Sequence, residues 1–175
     1  TAFKMEMALS PNDLGMTDNN SGNPPVTNKD NTLSRSLLLD FYVQFKQNRD
    51  LNVRVGQYKV PYSRQRVISS GNLMMVDRAI SNSEFNVDRD IGLDIRSMDL
   101  FGLDKKLRYY LGIYAGEGHS SYNANDFGMM YLGRLEALPL GSFEDYHESD
   151  QGRDPKPRLS LGVGYAYIKN GQGNK

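Results

Sequence analysis

The sequence predicts an all-β protein, an antiparallel up-and-down transmembrane β-barrel of which this chain supplies about seven strands. Apolar and polar residues alternate in seven segments, which is the period of a strand with two unlike faces. Long and short connections also alternate, and aromatic residues recur towards the strand ends. No apolar run approaches the roughly 20 residues that a membrane-spanning helix needs.

Each predicted strand has one apolar face and one face of polar or small residues. In the second strand, Leu39, Phe41 and Val43 lie opposite Asp40 and Tyr42. The seven segments are 3–9, 37–46, 51–56, 90–96, 107–114, 129–137 and 158–167. A strand of about 10 residues, tilted near 45°, covers the ~25 Å apolar band of an outer-membrane barrel. A water-soluble β-sandwich alternates in the same way but buries its apolar face, so the alternation alone leaves that class open.

Two kinds of connection follow each other along the chain. Three are mostly long and rich in Asn, Gly, Ser and Asp, and we expect them on the extracellular side: 10–34, 60–87 and 116–126. The links at 48–50 and 98–105 are short. The link at 139–157 departs from this scheme, because it should be short and runs to about 19 residues. Within the second long connection, Tyr62–Ile80 has spacing compatible with a short helix rather than a strand.

Seven strands cannot close a barrel of the usual kind. They leave two unpaired edges, which lipid does not tolerate, and bacterial single-chain barrels use an even number of strands. We therefore expect residues 1–175 to be part of a single outer-membrane β-barrel domain that is larger than this chain. The start at Thr1 without Met and the polar end at 169–175 agree with a piece of a longer mature protein.

Composition and spacing argue against several other classes of protein. The chain has 21 basic and 21 acidic residues, and this zero net charge argues against a nucleic-acid partner. Cysteine is absent, which excludes disulfides, thiolate metal sites and a cysteine nucleophile. His119 and His147 lie in separate loops, and no calcium-loop spacing of Asp residues occurs. We therefore expect no catalytic residues, no cofactor and no metal site.

Four ordered motifs carry a resemblance to a known family. Segment 53–62 reads Val-Arg-Val-Gly-Gln-Tyr-Lys-Val-Pro-Tyr and resembles a signature of the phosphate- and polyphosphate-selective porins of Gram-negative outer membranes. The other motifs follow in the family's order: Ile-Ser-Ser-Gly-Asn-Leu at 68–73 with Val-Asp-Arg-Ala-Ile at 76–80, Val-Asp-Arg-Asp-Ile-Gly-Leu at 87–93, and Tyr-Leu-Gly-Ile-Tyr-Ala-Gly at 110–116. The resemblance covers roughly residues 35–168.

The resemblance implies a 16-stranded barrel, a homotrimer in outer-membrane lipid and a pore for small anions such as phosphate or polyphosphate. In porins generally, a loop such as 60–87 can fold inward as a constriction loop. Val60 stands where the family has an acidic residue, and the connection 10–34 is long, so the preferred substrate stays open. The alternatives are an unselective porin, a scaffold barrel for another envelope protein, or a soluble β-domain that binds carbohydrate or protein through its Asn-rich loops.

The basic residues of the polar face and of the 60–87 connection are the candidate anion-binding groups. Arginine stays protonated and offers several donors to phosphate oxygens. The candidates are Arg54, Lys59, Arg64, Arg66, Arg78, Arg96, Arg108, Arg134 and Arg158. The plainer interpretation is that mixed charges keep a pore wet and pair with neighbouring carboxylates.

Overall fold

The computed structural model describes residues 1–7, 38–76, 78–80, 82, 87–116, 128–143, 146–149, 153 and 155–169. Within these ranges the chain forms one antiparallel sheet whose seven strands follow each other in sequence order. The strands are β1 Ala2–Met7, β2 Leu38–Lys46, β3 Asn52–Lys59, β4 Arg89–Ser97, β5 Leu107–Tyr114, β6 Met130–Ala137 and β7 Leu161–Ile168. The sheet is not closed, because β1 and β7 each pair with one neighbour only.

All seven predicted strands are present, and two of their bounds shift by three residues, whereas the other bounds within the described residues shift by one residue at most. The third strand runs on to Lys59, because residues 57–59 continue to pair with β4. The seventh strand begins later than predicted. Its last pair with β6 joins Ala137 to Leu161, where β6 ends, so Arg158 has no strand residue to pair with and precedes β7.

The connection between β3 and β4, called here the β3–β4 link, contains one turn of α-helix, α1 (Arg64–Val67). Ser63 caps it by accepting a hydrogen bond at Oγ from the Arg66 N–H, 3.1 Å away. A 3-10 turn follows at Ser70–Asn72, residues 73–76 are not helical, and Ile80 is helical again, so the helix predicted within Tyr62–Ile80 forms as short separate turns. The predicted long connections 10–34 and 116–126 lie outside the described residues, except for Gly116. No helix in the described ranges has the length and apolar character needed to cross a membrane.

Side-chain burial on the two faces of the sheet is the reverse of that in a water-soluble fold. On one face, Phe3 and Leu93 are 62% and 46% exposed. On the other, Asp94 and Glu136 are 0% and 1% exposed. These surfaces are called the apolar face and the polar face. A broad exposed apolar surface indicates contact with lipid or another apolar partner, and a sandwich would have buried it.

The buried apolar cluster lies on the polar face, near the end of the sheet where the long connections leave. It consists of Tyr58, Tyr114, Met130 and Leu132 from three strands, β3, β5 and β6. Val60, the first residue of the β3–β4 link, completes it and is 0% exposed. This end is called the long-connection end, and the opposite end the short-link end. The start of the β3–β4 link therefore packs on the polar face.

Candidate functional site

A cavity of about 810 Å³ lies against the polar face, bordered mainly by residues of β1–β4 and the β3–β4 link, with Met98, Tyr110 and Tyr146 completing the border. Its charged lining is strongly asymmetric. Eight basic residues line it: Lys4, Lys46, Arg54, Lys59, Arg66, Arg78, Arg89 and Arg96. Only two carboxylates, Glu6 and Asp40, lie among the lining residues. A wall with this excess of positive charge attracts anions.

The other carboxylates of the polar face are buried beneath this lining. Asp94, at 0% exposure, accepts a hydrogen bond from Arg96 Nε at 2.6 Å and another contact from the same guanidinium. Tyr114 donates to Asp94 Oδ2 at 3.0 Å. Asp90, at 2% exposure, accepts the Gly116 N–H at 2.7 Å. Neither carboxylate lines the cavity.

Two glycines explain how Tyr114 reaches Asp94. Gly92 and Gly112 are neighbours of Tyr114 on β4 and β5, and a Cβ at either position would overlap the Tyr114 ring. The ring therefore lies flat over the space that the two missing side chains leave. This gives a physical reason for the Ile-Gly-Leu-Asp and Leu-Gly-Ile-Tyr runs in β4 and β5.

Glu136 is shielded in a similar way further along the sheet. At 1% exposure it forms an ion pair with Arg134, and Arg108 Nη1 lies 3.8 Å from its other oxygen. Tyr146, from the link between β6 and β7, donates to Glu136 Oε2 at 3.0 Å. A buried carboxylate needs such partners, because an unpaired charge in this environment costs several kcal/mol.

Arginine and tyrosine side chains alternate along the wall of the cavity. The Arg54 guanidinium lies 4.0 Å from the ring centroid of Tyr42 and 5.2 Å from that of Tyr58. Arg96 lies 5.6 Å from Tyr58 and 5.3 Å from Tyr110. Cation–π contacts of this kind hold long side chains in fixed positions without neutralising their charge. The arginines therefore present positive charge along the wall.

Arg54 differs from Arg96 in its polar partners. Its Nη2 donates to Gln44 Oε1 at 2.8 Å, and Gln44 is neutral. Among the described residues, its buried Nε has no hydrogen-bond partner. In the part of the chain that the structure describes, no carboxylate forms an ion pair with Arg54, so its charge is not neutralised by a bonded partner.

The β3–β4 link brings further cations to the cavity and crosses the polar face. Arg134 Nη1, on β6, donates to the carbonyl oxygen of Pro61 at 3.2 Å. Arg66 forms an ion pair with Asp88. Burial is the largest single influence and opposes ionisation of Asp88, but the hydrogen bonds and charges of Arg66 and Arg89 together outweigh it and hold the Asp88 pKa below its ordinary value. Arg78 donates to the Gln65 and Ile68 carbonyls at 3.2 and 2.9 Å, which fixes it to the link.

The structure brings five of the nine sequence-predicted site residues to this cavity and leaves four elsewhere. The five are Arg54, Lys59, Arg66, Arg78 and Arg96. Arg108 and Arg134 share the polar face but are buried beside Glu136. Arg64 lies 5.9 Å from the ring of Tyr146. Arg158 donates to the Leu140 carbonyl at 3.0 Å near the short-link end, outside any strand.

The sequence-predicted site lacks three basic residues of the lining, Lys4, Lys46 and Arg89, and the aromatic residue Tyr146. Lys4 and Lys46 lie on the polar face that alternation predicts. Arg89 precedes Asp90, so strict alternation assigns it to the apolar face, yet it lines the cavity and its Nε donates to Asp40 at 2.7 Å. Its position in the Asp-Arg-Asp-Ile-Gly motif was the signal that could have identified it. Tyr146 lies in an irregular link, and no periodicity marks it.

Comparison with known proteins identifies a family. No curated protein and no solved structure matches the chain. The model of the family described as phosphate-selective porin O and P matches residues 14–141, which is well over half of the chain. The match includes the segments whose motifs carry the resemblance, and the inverted burial of the sheet agrees with an outer-membrane porin, a channel rather than an enzyme. The chain therefore belongs to the phosphate-selective porin O and P family.

Proposed function

We propose that this chain forms part of a pore that conducts small anions across the outer membrane, and that the cavity on the polar face lies on the conduction path. The observation that carries the proposal is the lining of eight basic and two acidic residues. The polar face of the strands carries nearly equal numbers of basic and acidic residues. The cavity lining does not, because Asp90, Asp94 and Glu136 are buried and do not line it.

The chemistry of the lining favours weak binding at several sites over tight binding at one. Several of its cations are already engaged: Arg96 with Asp94, Arg89 with Asp40 and Arg66 with Asp88. Such partners reduce the attraction that each guanidinium offers to an anion, and an ion that binds weakly can leave. Phosphate and polyphosphate are the anions that the family suggests.

The proposed assembly is a closed barrel of 16 strands in a homotrimer, with the rest of the barrel pairing with the free edges of β1 and β7. Exposed backbone edges are not tolerated in lipid, and this supports further strands on both sides. We also propose that the long connections are extracellular and that the β3–β4 link is the constriction loop. The contact from Arg134 to Pro61 supports the latter, because it holds the link over the polar face.

The test is the reversal potential of the full-length porin in planar bilayers under a KCl gradient. Arg54→Gln is the informative variant, because it removes a cavity charge without leaving a buried carboxylate unpaired. One fixed charge at pore distances contributes about 1 kcal/mol in a medium of intermediate dielectric constant, so we expect the anion-to-cation permeability ratio to fall about fivefold.

The matched control is Lys106→Gln, which removes the same charge from an exposed residue of the short link before β5. We expect the control to keep the wild-type permeability ratio. A wild-type pore without anion preference would refute the anion proposal and favour the unselective porin. An anion-selective pore in which Arg54→Gln has no effect would remove the cavity from the conduction path.

A further inference from the structure

The link between β6 and β7, called here the β6–β7 link, makes an unexpected contact with the β3–β4 link. The two links leave the sheet at opposite ends. Lys59 pairs with Arg89 at the long-connection end, whereas Ala137 pairs with Leu107 at the short-link end. The strands are eight residues long, about 26 Å at 3.3 Å per residue, so the links must meet over the polar face.

Glu148 provides most of the contact. Its backbone N–H donates to the Asn72 carbonyl at 3.0 Å. Its carboxylate accepts the Met74 N–H at 2.9 Å and the Gln65 side-chain amide at 3.2 Å. The N–H of Met74 and the amide of Gln65 hold the Glu148 pKa below its ordinary value. Glu148 is therefore ionised at neutral pH and bonded to three points of the β3–β4 link.

Tyr146 joins the β6–β7 link to the strands of the polar face. Its hydroxyl donates to Glu136 at 3.0 Å and lies 2.9 Å from the Tyr110 hydroxyl. Burial raises the pKa of Tyr146, so the hydroxyl keeps the proton that it donates. The guanidinium groups of Arg64 and Arg108 lie 5.9 and 5.8 Å from its ring centroid. The β6–β7 link is thus fixed to the wall by Tyr146 and to the other link by Glu148.

We propose that Glu148 is a positioning residue that holds the β3–β4 link over the polar face and thereby sets the width of the pore. The inference rests on the proposed function. Glu148 does not line the cavity, but its partner Gln65 also holds Arg78 through the 3.2 Å bond to the Gln65 carbonyl. Release of Glu148 shifts the link that carries the cavity cations Arg66 and Arg78, so the pore becomes wider and its current noisier.

The test is a redox-controlled tether in the full-length porin, the double variant Asn72→Cys/Glu148→Cys. A single backbone bond joins Glu148 N to Asn72 O, and its 3.0 Å length keeps the two Cα atoms within about 7 Å of each other, close to the range that a disulfide spans. This chain has no cysteine, so it contributes no background thiol. Reduction leaves the link without the carboxylate, and oxidation replaces the carboxylate by a covalent bond.

We expect single-channel conductance and open-channel noise above wild type in the reduced state, and wild-type values after oxidation. The pore of the single variant Glu148→Cys should keep the higher conductance and noise under both reducing and oxidising conditions. Glu148→Gln, which keeps the shape of the side chain, should show a smaller change in the same direction and serves if the cysteine pair does not assemble. Equal conductance of Glu148→Gln and wild type would also overturn the proposal.

Two further results would overturn the proposal. In one, the disulfide forms, as shown by thiol titration, but conductance is the same in both states. In the other, the two thiols do not join under oxidation in the folded protein. Failure of the proposed function is a separate result, since it appears as a wild-type protein without anion-preferring conductance whether or not the disulfide forms.

Discussion

The Tyr114 hydroxyl donates a hydrogen bond to Asp94, with 3.0 Å between the oxygens. The Tyr114 ring lies over Gly92 and Gly112, which have no side chains to displace it. Tyr114 is 1% exposed and Asp94 0%. The bond satisfies a carboxylate that water does not reach, and it leaves Arg96 at the cavity with its own bond to the same group. The negative charge of Asp94 is thus buried beneath the cavity lining, whereas the positive charge of Arg96 belongs to the lining.

Tyr114→Phe removes this donor and also the acceptor of the buried Tyr58 hydroxyl, 3.5 Å away. We expect the free energy of unfolding in detergent to fall by about 1–3 kcal/mol, because a buried acceptor loses a partner. The midpoint of urea unfolding measures the change. Tyr131→Phe is the control, since the Tyr131 hydroxyl on the apolar face contacts only the Met129 sulfur among the described residues, at 3.8 Å. Equal stability of Tyr114→Phe and Tyr131→Phe would contradict the role assigned to the bond.

Gly112→Ala tests whether the Tyr114 ring needs the space that the glycine leaves free. The added methyl would overlap the Tyr114 ring, which is buried and has no room to turn away. We expect a loss of about 1–3 kcal/mol in the free energy of unfolding, as for other overpacked sites. Gly133→Ala is the matched control on the neighbouring strand, because its Cβ would lie 3.6 Å from Leu111 Cδ2, an ordinary contact. A Gly112→Ala protein as stable as Gly133→Ala would show that the ring does not need this space.

Alternation in the sequence was sufficient to predict the seven strands and the outward-facing residues of each, because a strand has a fixed period of two; Arg89, at the start of β4, is the exception. It also predicted that Arg54 and Arg96 share a face, which the register confirms. Alternation could not predict that Asp94 and Glu136 are hidden, since this depends on cross-strand neighbours and on Tyr146 from a distant link. Counting charges along strands therefore underestimated the positive character of the cavity.

The ion pair of Asp88 and Arg66 predicts that the folded protein loses stability at acid pH. The Asp88 pKa is lowered in the folded protein, so its contribution to stability is complete above the ordinary value of 3.8 and is lost as pH falls through the lower folded value. We expect urea midpoints to be insensitive to this pair between pH 5 and 8, taken as about one unit or more above 3.8, and to drop below that value. Asp88→Asn should reduce the acid-induced drop. An unchanged acid profile in Asp88→Asn would show that the pair does not contribute.

The assignment of the two faces predicts how tryptophan substitutions respond to lipid. Val55, 43% exposed on the apolar face, and Arg54 on the polar face are adjacent in β3 and lie at the same depth. This chain has no tryptophan, so it adds no background signal to single substitutions. In liposomes of brominated lipid, we expect strong quenching of Val55→Trp fluorescence and little quenching of Arg54→Trp, since only the first side chain points at acyl chains. Strong quenching at both positions, or at Arg54→Trp alone, would be incompatible with a water-filled polar face and would remove the physical basis for conduction along it.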